Sequence, residues 1–424
     1  MNILLIGSGG REHALALKLQ ESNLNNRIYC NPGNPGIAQV AENVNFNINH
    51  EITLIEFCRE KSISLVVIGP EQPLADGIAD TLRQNNINCF GPSKYASQLE
   101  SSKSFAKEFM DEFDIPTAKY KTFEAKDISD CGRYIDKSDM PIVIKADGLA
   151  GGKGVYITDN KEEAKKIVED FFEGKFGEAS KKIVIEQFLD GVEASIFAIC
   201  DGSDFVLLPA SQDYKRAKDG DLGLNTGGMG SFSPTPFVND KIIKKVSQKI
   251  VKQVLLGMKS RKNSFVGCLF VGIMIVENEP YVIEFNVRFG DPETQSVLSL
   301  IDGDLANLFF TASKGAIEKS SISLKNEKFA CTVILASDGY PENFNKGFEI
   351  KGLQNNSTLK DKYIFHAGTK VENDKIVNNG GRVLGITAVA STLKEAKENA
   401  YNLAEGIHFE NKYYRRDIAD SAIK

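Results

Sequence analysis

The stretch PIVIKADGLAGGKGVYIT, residues 141–158, joins two apolar runs through a glycine-rich loop that contains a single lysine. Both runs are typical of buried strands, so the short loop between them predicts a β-hairpin. The loop is not a Walker A sequence, because Gly154 follows Lys153 and the next element is a strand rather than a helix. Backbone N–H groups of a glycine loop can still approach phosphate oxygens, and Lys153 adds a positive charge. We therefore expect a phosphate-binding hairpin.

Charged residues near the hairpin support this interpretation. Lys145 interrupts the apolar run of the first strand, and a buried lysine needs a partner, which an ATP phosphate would provide. Further along, VIEQFLDGVEAS (residues 184–195) places Glu186 at the end of an apolar strand and Glu193 beyond a turn. Such a segment can offer backbone groups to an adenine edge while Glu193 accepts ribose hydroxyls.

A second chemical signal lies in YVIEFNVRFGDPETQ, residues 281–295. Glu284 and Asn286 are two positions apart on a predicted strand, so both should point to one face. Hard oxygen donors beside phosphates suit Mg²⁺ or Mn²⁺. Arg288 comes next on that face and can pair with a carboxylate or a phosphate.

The first hundred residues alternate strand-like and helix-like segments, which predicts a parallel sheet covered by helices. Ligands of such sheets bind outside the carboxyl ends of the strands. Three Gly/Pro-rich segments fall at those ends and predict a functional cleft: residues 7–12, 31–36 and 69–77.

The first of these segments, GSGGREHA (residues 7–14), partly matches a dinucleotide-binding fingerprint. Glu12 occupies the position of the third glycine, and the second strand ends at residues 29–32 without the acidic residue that a nicotinamide or flavin site needs. A dinucleotide-dependent dehydrogenase is therefore disfavoured. The turn is expected to form one wall of a site for an anionic or hydroxyl-bearing ligand.

Composition sets broad limits. The chain has 424 residues, 42% of them hydrophobic and 25% charged, which is enough for two to four globular domains. A net charge of −6 argues against a nucleic-acid partner. Seven scattered cysteines and the lack of a ~20-residue apolar run predict a cytoplasmic protein without structural disulfides or membrane spans.

Three longer segments complete the outline. Residues 100–116 predict a helix ending before Pro116, and residues 241–258 predict another. The helix after the hairpin should begin at Asn160, with Glu163 completing a cap. The polar, glycine-rich stretch at residues 211–234 has the character of a long functional loop.

Taken together, the lysine-glycine hairpin, the strand lysine, the glutamates and the E-x-N-x-R strand resemble the ATP-grasp superfamily. Within it the chain is similar to the phosphoribosylamine–glycine ligase family of purine biosynthesis. The similarity runs from end to end through nine segments: GSGGREHAL, NPGNPG, GPEQPLADGIAD, KADGLAGGKGV, KRAKDGDLGLNTGGMGSFSP, VIEFNVRFGDPETQ, AGT, GGRVLGITA and IHFENKYYRRDIA.

The resemblance implies an α/β and α+β architecture of three domains. These are an amino-terminal Rossmann-like parallel-sheet domain (1–102), an ATP-grasp domain (103–324) with a small mobile lid lobe (about 117–190), and a mixed α/β carboxyl-terminal domain (325–424). The boundaries are expectations of the family pattern.

It also implies an ATP-dependent carbon–nitrogen ligase that forms glycinamide ribonucleotide from 5-phosphoribosylamine and glycine through glycyl phosphate, releasing ADP and phosphate. Mg²⁺ or Mn²⁺ would be the cofactor, and the partners would be small-molecule substrates, with transient contacts to neighbouring purine-pathway enzymes. The alternative is another ATP-grasp carboxylate–amine ligase of the same pathway.

By the family's pattern, each group of site residues has an expected role. The ATP-binding residues would be Lys103, Lys145, Gly148, Gly151, Gly152, Lys153, Gly154, Glu186, Phe188, Leu189 and Glu193. The metal ligands would be Glu284 and Asn286, and the catalytic residues would be Arg288, Asn225 and Asp213. The substrate-binding residues would be Gly9, Gly10, Glu71, Thr226, Gly227, Asp291 and Arg382.

The chain departs from the family pattern at three positions. Tyr214 and Leu224 stand where the family usually has His and Pro, and Gly151 stands where Ala is common. Because of Tyr214, we assign no acid–base role to that position.

Overall fold

In the computed structural model, which describes residues 1–22, 26–150, 154–356 and 359–423, the amino-terminal region forms a sheet between helices. Its elements are β1 (Asn2–Gly7), α1 (Gly10–Gln20), β2 (Arg27–Pro32), β3 (Glu42–Asn43), α2 (Glu51–Glu60), β4 (Ile63–Ile68), α3 (Glu71–Asp76), α4 (Ile78–Gln84), β5 (Cys89–Phe90) and α5 (Gln98–Ser101). The strands lie in the order β3-β2-β1-β4-β5, and all neighbouring pairs are parallel. The predicted parallel sheet is confirmed.

Strand β1 is apolar on both faces because both are covered. Leu4 and Ile6 belong to one buried cluster, while Ile3 and Leu5 belong to another. This division follows from the alternation of side chains along a strand. Both clusters also contain residues of the central sheet described below, so the amino-terminal and central regions share their cores.

Helix α6 (Lys103–Glu112) comes next, and its Phe109 and Met110 pack in one of these shared clusters. It leads into a lobe built on a four-stranded antiparallel sheet, which corresponds to the expected lid lobe. The elements of the lobe are β6 (Tyr120–Glu124), α7 (Ile128–Lys137), β7 (Ile142–Ala146), β8 (Val155–Thr158), α8 (Lys161–Phe172) and β9 (Lys182–Gln187). The strands lie in the order β6-β9-β7-β8. The predicted hairpin is confirmed as β7–β8, although residues 151–153 lie outside the described residues. The predicted cap of α8 is also confirmed, because Asn160 Oδ1 accepts the N–H groups of Glu162 and Glu163.

The helix predicted over residues 100–116 is instead two helices, α5 and α6. The break lies at Ser102, whose hydroxyl accepts the N–H of Phe105 at 3.2 Å and so caps α6. Asp147, just after β7, accepts the N–H of Ser104 at 2.6 Å and the Ser102 hydroxyl at 3.1 Å. A carboxylate at the start of α6 is favourable for its helix dipole, and it fixes α6 to the glycine hairpin.

The central region contains a second antiparallel sheet, in the order β11-β10-β16-β17. The elements are β10 (Val192–Asp201), β11 (Phe205–Leu207), β12 (Gln212–Asp213), β13 (Arg216–Lys218), β14 (Leu222–Asn225), β15 (Gly230–Ser233), α9 (Asp240–Val246), α10 (Lys252–Ser260), β16 (Val266–Val276), β17 (Glu279–Asn286), α11 (Glu293–Leu298), β18 (Ile301–Gly303), α12 (Leu305–Ser313) and β19 (Ile322–Leu324). A π-helical turn over Ser247–Val251 interrupts the single helix predicted for residues 241–258.

In the carboxyl-terminal region, helix α13 packs on another sheet. Its elements are β20 (Phe329–Ser337), β21 (Lys362–His366), β22 (Thr369–Glu372), β23 (Lys375–Asn378), β24 (Arg382–Ala390), α13 (Leu393–Glu405) and β25 (Lys412–Tyr413). The sheet order is β12-β15-β20-β24-β21, with β25 paired to β20. The polar stretch at residues 211–234 is therefore no simple loop, because β12 and β15 extend this sheet. In the described part of the chain, no helix is long and apolar enough to cross a membrane.

Two buried histidines join the first and last regions. His13 on α1 and His366 at the end of β21 are 1% and 2% exposed, and the His366 N–H donates to His13 Nδ1 at 2.9 Å. Asn34 completes the contact by donating to the carbonyl oxygens of Ser8 and His366, both at 2.8 Å. Burial lowers the pKa of His366 to about 4, and burial together with His366 lowers the pKa of His13.

We expect the stability of this contact to depend on pH. Both histidines stay neutral in the fold, whereas an unfolded chain protonates them below about pH 6.5. The free energy of unfolding should therefore fall as the pH drops from 6.5 toward 4, by about 1.4 kcal/mol per unit of pKa depression. The variant His13→Asn keeps an acceptor for the His366 N–H and should show a smaller fall in chemical denaturation. The exposed His408→Asn is the control, and a fall in His13→Asn equal to that of wild type would contradict the account.

Candidate active site

A buried lysine of the lid lobe contacts the central sheet. Lys145 on β7 donates to the carbonyl oxygen of Ile283 on β17 at 3.1 Å. The pairing of β17 with β16 shifts register beside Ile283, where Gly272 pairs with Glu284 but the next residue pairs with Val282. Glu284 therefore lies next to the lysine-bearing strand of the lid.

Lys145 is part of a buried charge cluster with Glu186 and Lys107. Glu186 forms one ion pair with Lys145 at 2.8 Å and another with Lys107 at 2.9 Å. All three side chains are at most 5% exposed. Burial alone would raise the pKa of Glu186, but the two lysines bring it below its usual value. Burial lowers the pKa of Lys107 to about 8. The protein partner of Lys145 is thus Glu186, where the sequence had suggested a phosphate.

Lys103 adds a third ammonium group near the same place. Its Nζ donates to the carbonyl oxygen of Gly148 at 3.4 Å. Burial lowers the pKa of Lys103, and Lys145 acts in the same direction against the opposing charge of Glu284. We call Lys103, Lys107 and Lys145, with the buried Glu186, the lysine wall. Because it has three positive charges and one negative charge, its net charge is positive, which suits a polyphosphate ligand.

Next to these lysines, Glu284 and Asn286 of β17 provide oxygen donors. Burial acts to raise the pKa of Glu284, but Lys215 and Lys145 outweigh it and keep the carboxyl group ionised. An ionised carboxylate and an amide oxygen fit the donors that Mg²⁺ and Mn²⁺ prefer. Among the described residues no group of three or more His, Cys, Asp or Glu could hold a metal alone. A cation here would need phosphate or water oxygens as well.

Arg288, just beyond β17, is held by carboxylates of the amino-terminal region. Its Nη2 lies 2.8 Å from Glu100 on α5 and its Nε lies 3.4 Å from Glu71 on α3. Nη2 also donates to Asn286 Oδ1 at 3.1 Å. Glu71 therefore has Arg288 as a partner. If Arg288 contacts the transferred phosphoryl group as predicted, it does so with a guanidinium group that is also paired with Glu100 and Glu71.

Glu193 on β10 forms an ion pair with Lys215, which lies between β12 and β13. Asp213, two residues before Lys215, lies in register with Ser231 of β15. Tyr214 points away into the carboxyl-terminal core, where its hydroxyl contacts Ser421 and accepts the N–H of Ala419.

The segment from Asn225 to Gly228 is held by Arg382 and Tyr340. Arg382 Nη1 donates to the carbonyl oxygens of Gly227 at 2.7 Å and Asp291 at 2.6 Å. The Gly227 N–H donates to the Tyr340 hydroxyl at 3.0 Å, and the Thr226 hydroxyl donates to the Lys215 carbonyl at 2.8 Å. The backbone of this segment is therefore fixed by the carboxyl-terminal region.

The amino-terminal turn differs from the expectation for an anion site. The N–H of Gly9 donates to Glu12 Oε2 at 2.7 Å, and the N–H of Arg11 faces Asp291 Oδ2 at 3.4 Å. Gly7 has φ +131°, and a Cβ atom there would collide with Glu12, so this arrangement needs glycine. With two carboxylates at the helix start, a phosphate is disfavoured and a hydroxyl or amino group suits the site.

A cavity of about 590 Å³ opens beside this turn. The loop after β2 forms one side, including Gly33 and Asn34, and the β22 region forms the other, including Thr369 and Lys370. Ala367, also in the lining, would lie 3.6 Å from a Cβ atom at Gly10. Ser8 is also in the lining, so the cavity adjoins the start of the turn.

The remaining predicted ATP residues lie around the lid. Phe188 and Leu189 follow β9 and are half-buried, and the N–H of Gly148 donates to the Ala179 carbonyl at 3.1 Å. The Gly154 carbonyl accepts the Ala146 N–H at 2.8 Å. Gly151, Gly152 and Lys153 lie outside the described residues. The assigned roles of all these residues stay predictions.

The sequence interpretation missed four charged residues of the site: Lys107, Glu100, Glu12 and Glu293. A signal existed for Lys107, which follows Lys103 by four positions and so lies on the same face of α6. Glu100 pairs with Arg288, which is far away in the chain, so no local pattern indicates that contact. Glu12 instead accepts the N–H of Gly9 within the turn itself, a contact that the sequence interpretation did not use.

Three family models match this chain, one for each of its amino-terminal, central and carboxyl-terminal regions. The phosphoribosylglycinamide synthetase family models match with their N domain over residues 1–100, their ATP-grasp domain over 101–294 and their C domain over 330–421. The chain belongs to the phosphoribosylglycinamide synthetase family. The ATP-grasp fold expected from the sequence is thereby confirmed.

Two of the similar proteins show how much of each chain the match covers. A phosphoribosylamine–glycine ligase of Mesorhizobium japonicum is 44% identical, covering 100% of this chain and 99% of the relative. The crystal structure of the Thermotoga maritima phosphoribosylamine–glycine ligase superposes with a TM-score of 0.86 at 35% identity, covering 99% and 100% of the two chains. A biotin carboxylase domain of Hydrogenobacter thermophilus, bound to MgADP, shares the fold with a TM-score of 0.73 at 14% identity, covering 97% and 91%.

The lysine–glutamate cluster gives a direct test of the lid geometry. Glu186→Gln would leave two buried ammonium groups without their carboxylate, so the free energy of unfolding should fall by about 3–5 kcal/mol. Glu178→Gln is the matched control, because the Glu178–Lys181 pair in the same lobe is exposed. The control should change stability by less than about 0.5 kcal/mol in urea unfolding. Equal effects of the two substitutions would contradict the buried cluster.

Proposed function

We propose that the chain catalyses the ATP-dependent joining of glycine to 5-phospho-β-D-ribosylamine, giving glycinamide ribonucleotide, ADP and phosphate, an early step of purine biosynthesis. The observation that carries the proposal is the end-to-end match to ligases of this name, across all three domains. A cytoplasmic location is part of the proposal, supported by seven cysteines that are all free and buried. Transient contact with other enzymes of the pathway stays a prediction.

The chemistry explains why such a site needs separate regions. A carboxylate is a poor electrophile, so the glycine carboxylate first attacks the γ-phosphate of ATP, giving glycyl phosphate and ADP. The amine of phosphoribosylamine then attacks the acyl carbon, and inorganic phosphate leaves. The protein supplies positioning and charge, as in phosphoryl transfer generally.

The lysine wall would receive ATP. Lys103 and Lys145 would contact phosphate oxygens, together with the hairpin from Gly148 to Gly154. Phe188 and Leu189 would contact the adenine, and Glu193, which pairs with Lys215, lies where ribose hydroxyls could replace that partner. Glu186 is better placed to hold the two lysines than to bind adenosine with its side chain, because it is buried between them.

A divalent cation, Mg²⁺ or Mn²⁺, would be held by Glu284 and Asn286 and would neutralise charge on the ATP phosphates. Arg288 would steady the same end of β17 and face the transferred group. Asn225, Thr226 and Gly227 would line the acyl phosphate, on a backbone that Arg382 holds in place.

The phosphoribosylamine would lie between the amino- and carboxyl-terminal regions. The Gly9–Gly10 turn lies beside the carboxylates of Glu12 and Asp291, which would suit an amine and ribose hydroxyls. Glu71, also expected to bind the substrate, forms an ion pair with Arg288. The neighbouring cavity offers room for the phosphate-bearing end, with Thr369 and Lys370 in its lining.

The assay that tests this proposal measures ADP release with glycine and freshly generated phosphoribosylamine. We expect turnover only when both are present with ATP. ADP release that needs bicarbonate or formate instead would favour another ATP-grasp ligase of the pathway. Absence of glycine-dependent turnover would refute the proposal.

The metal ligands can be tested by substitution. Glu284→Gln should lower kcat by about 100-fold or more, because a bound cation contributes several kcal/mol of charge stabilisation. The circular dichroism spectrum should stay that of wild type. Glu279→Gln, at the other end of β17 and paired with surface lysines, is the control and should keep full activity. Near-normal turnover of Glu284→Gln would remove the proposed metal site.

A further inference from the structure

A buried arginine of the carboxyl-terminal region contacts the segment that follows strand β12. Arg415 is fully buried. Its Nη1 donates to the carbonyl oxygen of Arg216 at 3.1 Å, and its guanidinium carbon lies 4.8 Å from the centre of the Tyr214 ring. Tyr214 and Arg216 are the two neighbours of Lys215 in the chain. Arg415 therefore contacts both residues that flank Lys215.

Two carboxylates fix the orientation of the Arg415 guanidinium group. Asp417 accepts from Nε at 2.7 Å and from Nη2 at 2.6 Å, and Asp221 accepts from Nη1 at 2.8 Å. A bidentate pair of this kind fixes the plane of the guanidinium group, which the single ammonium of a lysine could not achieve. Asp221 directly precedes β14, so Arg415 also joins the carboxyl-terminal region to the β13–β14 hairpin.

Further contacts attach the same hairpin to residues near Arg415. The Tyr413 hydroxyl donates to the carbonyl oxygen of Ala217 at 2.7 Å, and the N–H of Arg416 donates to Asp219 Oδ1 at 2.8 Å. Ala217 lies on β13, and Asp219 follows that strand. The backbone that continues from Lys215 is thus held by the carboxyl-terminal region from the start of β13 to the turn after it.

Lys215 itself points toward strand β10. Its Nζ forms an ion pair with Glu193, and its carbonyl oxygen accepts the N–H and the hydroxyl of Thr226, both at 2.8 Å. Partial burial would lower the pKa of Lys215, but Glu193, Asp213 and Glu284 outweigh it and raise the pKa. Three acidic residues of the predicted site therefore act on one ammonium group.

We propose that Arg415 is a positioning residue, which acts on the reaction by holding Lys215 beside Glu193. The inference rests on the proposed function, in which Glu193 belongs to the ATP site. Arg415 contacts no substrate in this account. If the ammonium group moves away, the negative charge of the carboxylates is left to repel the ATP phosphates. The catalytic role expected for Asp213 stays a prediction.

The test is a cycle of two single variants and their double variant. Arg415→Lys keeps the positive charge but loses the fork that reaches Arg216 and both carboxylates. We expect it to raise the KM for ATP by about 10-fold, because a small misplacement of a site group can cost up to about 100-fold. The KM for phosphoribosylamine should stay almost unchanged, since that substrate is assigned to other residues.

Lys215→Met is the second single variant of the cycle. Loss of its charged contact should raise the KM for ATP by about 10- to 100-fold. Adding Arg415→Lys to Lys215→Met should raise this KM no further, because the arginine acts through the lysine. Arg416→Lys is the matched control, since that side chain is exposed in the same segment, and it should keep the wild-type KM values. Circular dichroism and urea unfolding check the fold of every variant.

Several outcomes would overturn the inference. Effects that multiply in the double variant would show that Arg415 acts independently of Lys215. An unchanged KM for ATP in either single variant would contradict the account, and an equal rise in the KM for phosphoribosylamine would indicate a general structural role.

A second variant covers the case in which Arg415→Lys does not fold. Asp221→Asn then takes its place in the cycle, because the Asp221 side chain is 71% exposed and the substitution keeps its shape. It should raise the KM for ATP by about 2- to 5-fold, again only when Lys215 is present, and an effect that persists in Lys215→Met would contradict the account. Wild type without glycine-dependent ADP release would refute the proposed function itself, which is a separate result.

Discussion

The ion pair between Arg288 and Glu100 fixes the end of strand β17, and the rest of the site is placed relative to that strand. One Glu100 oxygen lies 2.8 Å from Arg288 Nη2, and the other accepts the N–H of Val287 at 2.8 Å. These contacts join the strand that bears Glu284 and Asn286 to the amino-terminal region. Removing one partner of such a buried pair is strongly destabilising, because a charge is left alone in the interior. On the other side, Lys145 reaches β17 from the lid.

The distribution of charge around β17 separates the ligands by chemistry. The lid side has three lysines around Glu186, which suits a polyphosphate. On the side facing α11, burial raises the pKa values of two acidic residues, Asp213 and Glu293. The amino-terminal turn presents the carboxylates of Glu12 and Asp291, which suit hydroxyls and an amine. In the proposed reaction, the polyphosphate of ATP would thus face lysines, and the amine and hydroxyls of phosphoribosylamine would face carboxylates.

Much of this architecture could be predicted from local patterns. The apolar strands of the parallel sheet, the β7–β8 hairpin and the Asn160 cap depend on neighbouring residues, and these predictions are confirmed. The partners of buried charges could not be predicted, because Lys145 meets Glu186 and Arg288 meets Glu100 only after distant segments pack together. Strands β12 and β15 could not be predicted for the same reason. Their polar, glycine-rich sequence forms strands only because β15 pairs with β20 and β12 pairs with β15.

The central claim is that glycine is activated as an acyl phosphate beside β17 before the amine attacks. The direct measurement follows oxygen from glycine labelled with ¹⁸O in its carboxylate, during turnover with ATP and phosphoribosylamine. Mass spectrometry of the inorganic phosphate should show one ¹⁸O atom per phosphate, because the bond that breaks last joins the acyl carbon to a carboxylate-derived oxygen. Unlabelled phosphate from a reaction that still forms labelled glycinamide ribonucleotide would contradict the account.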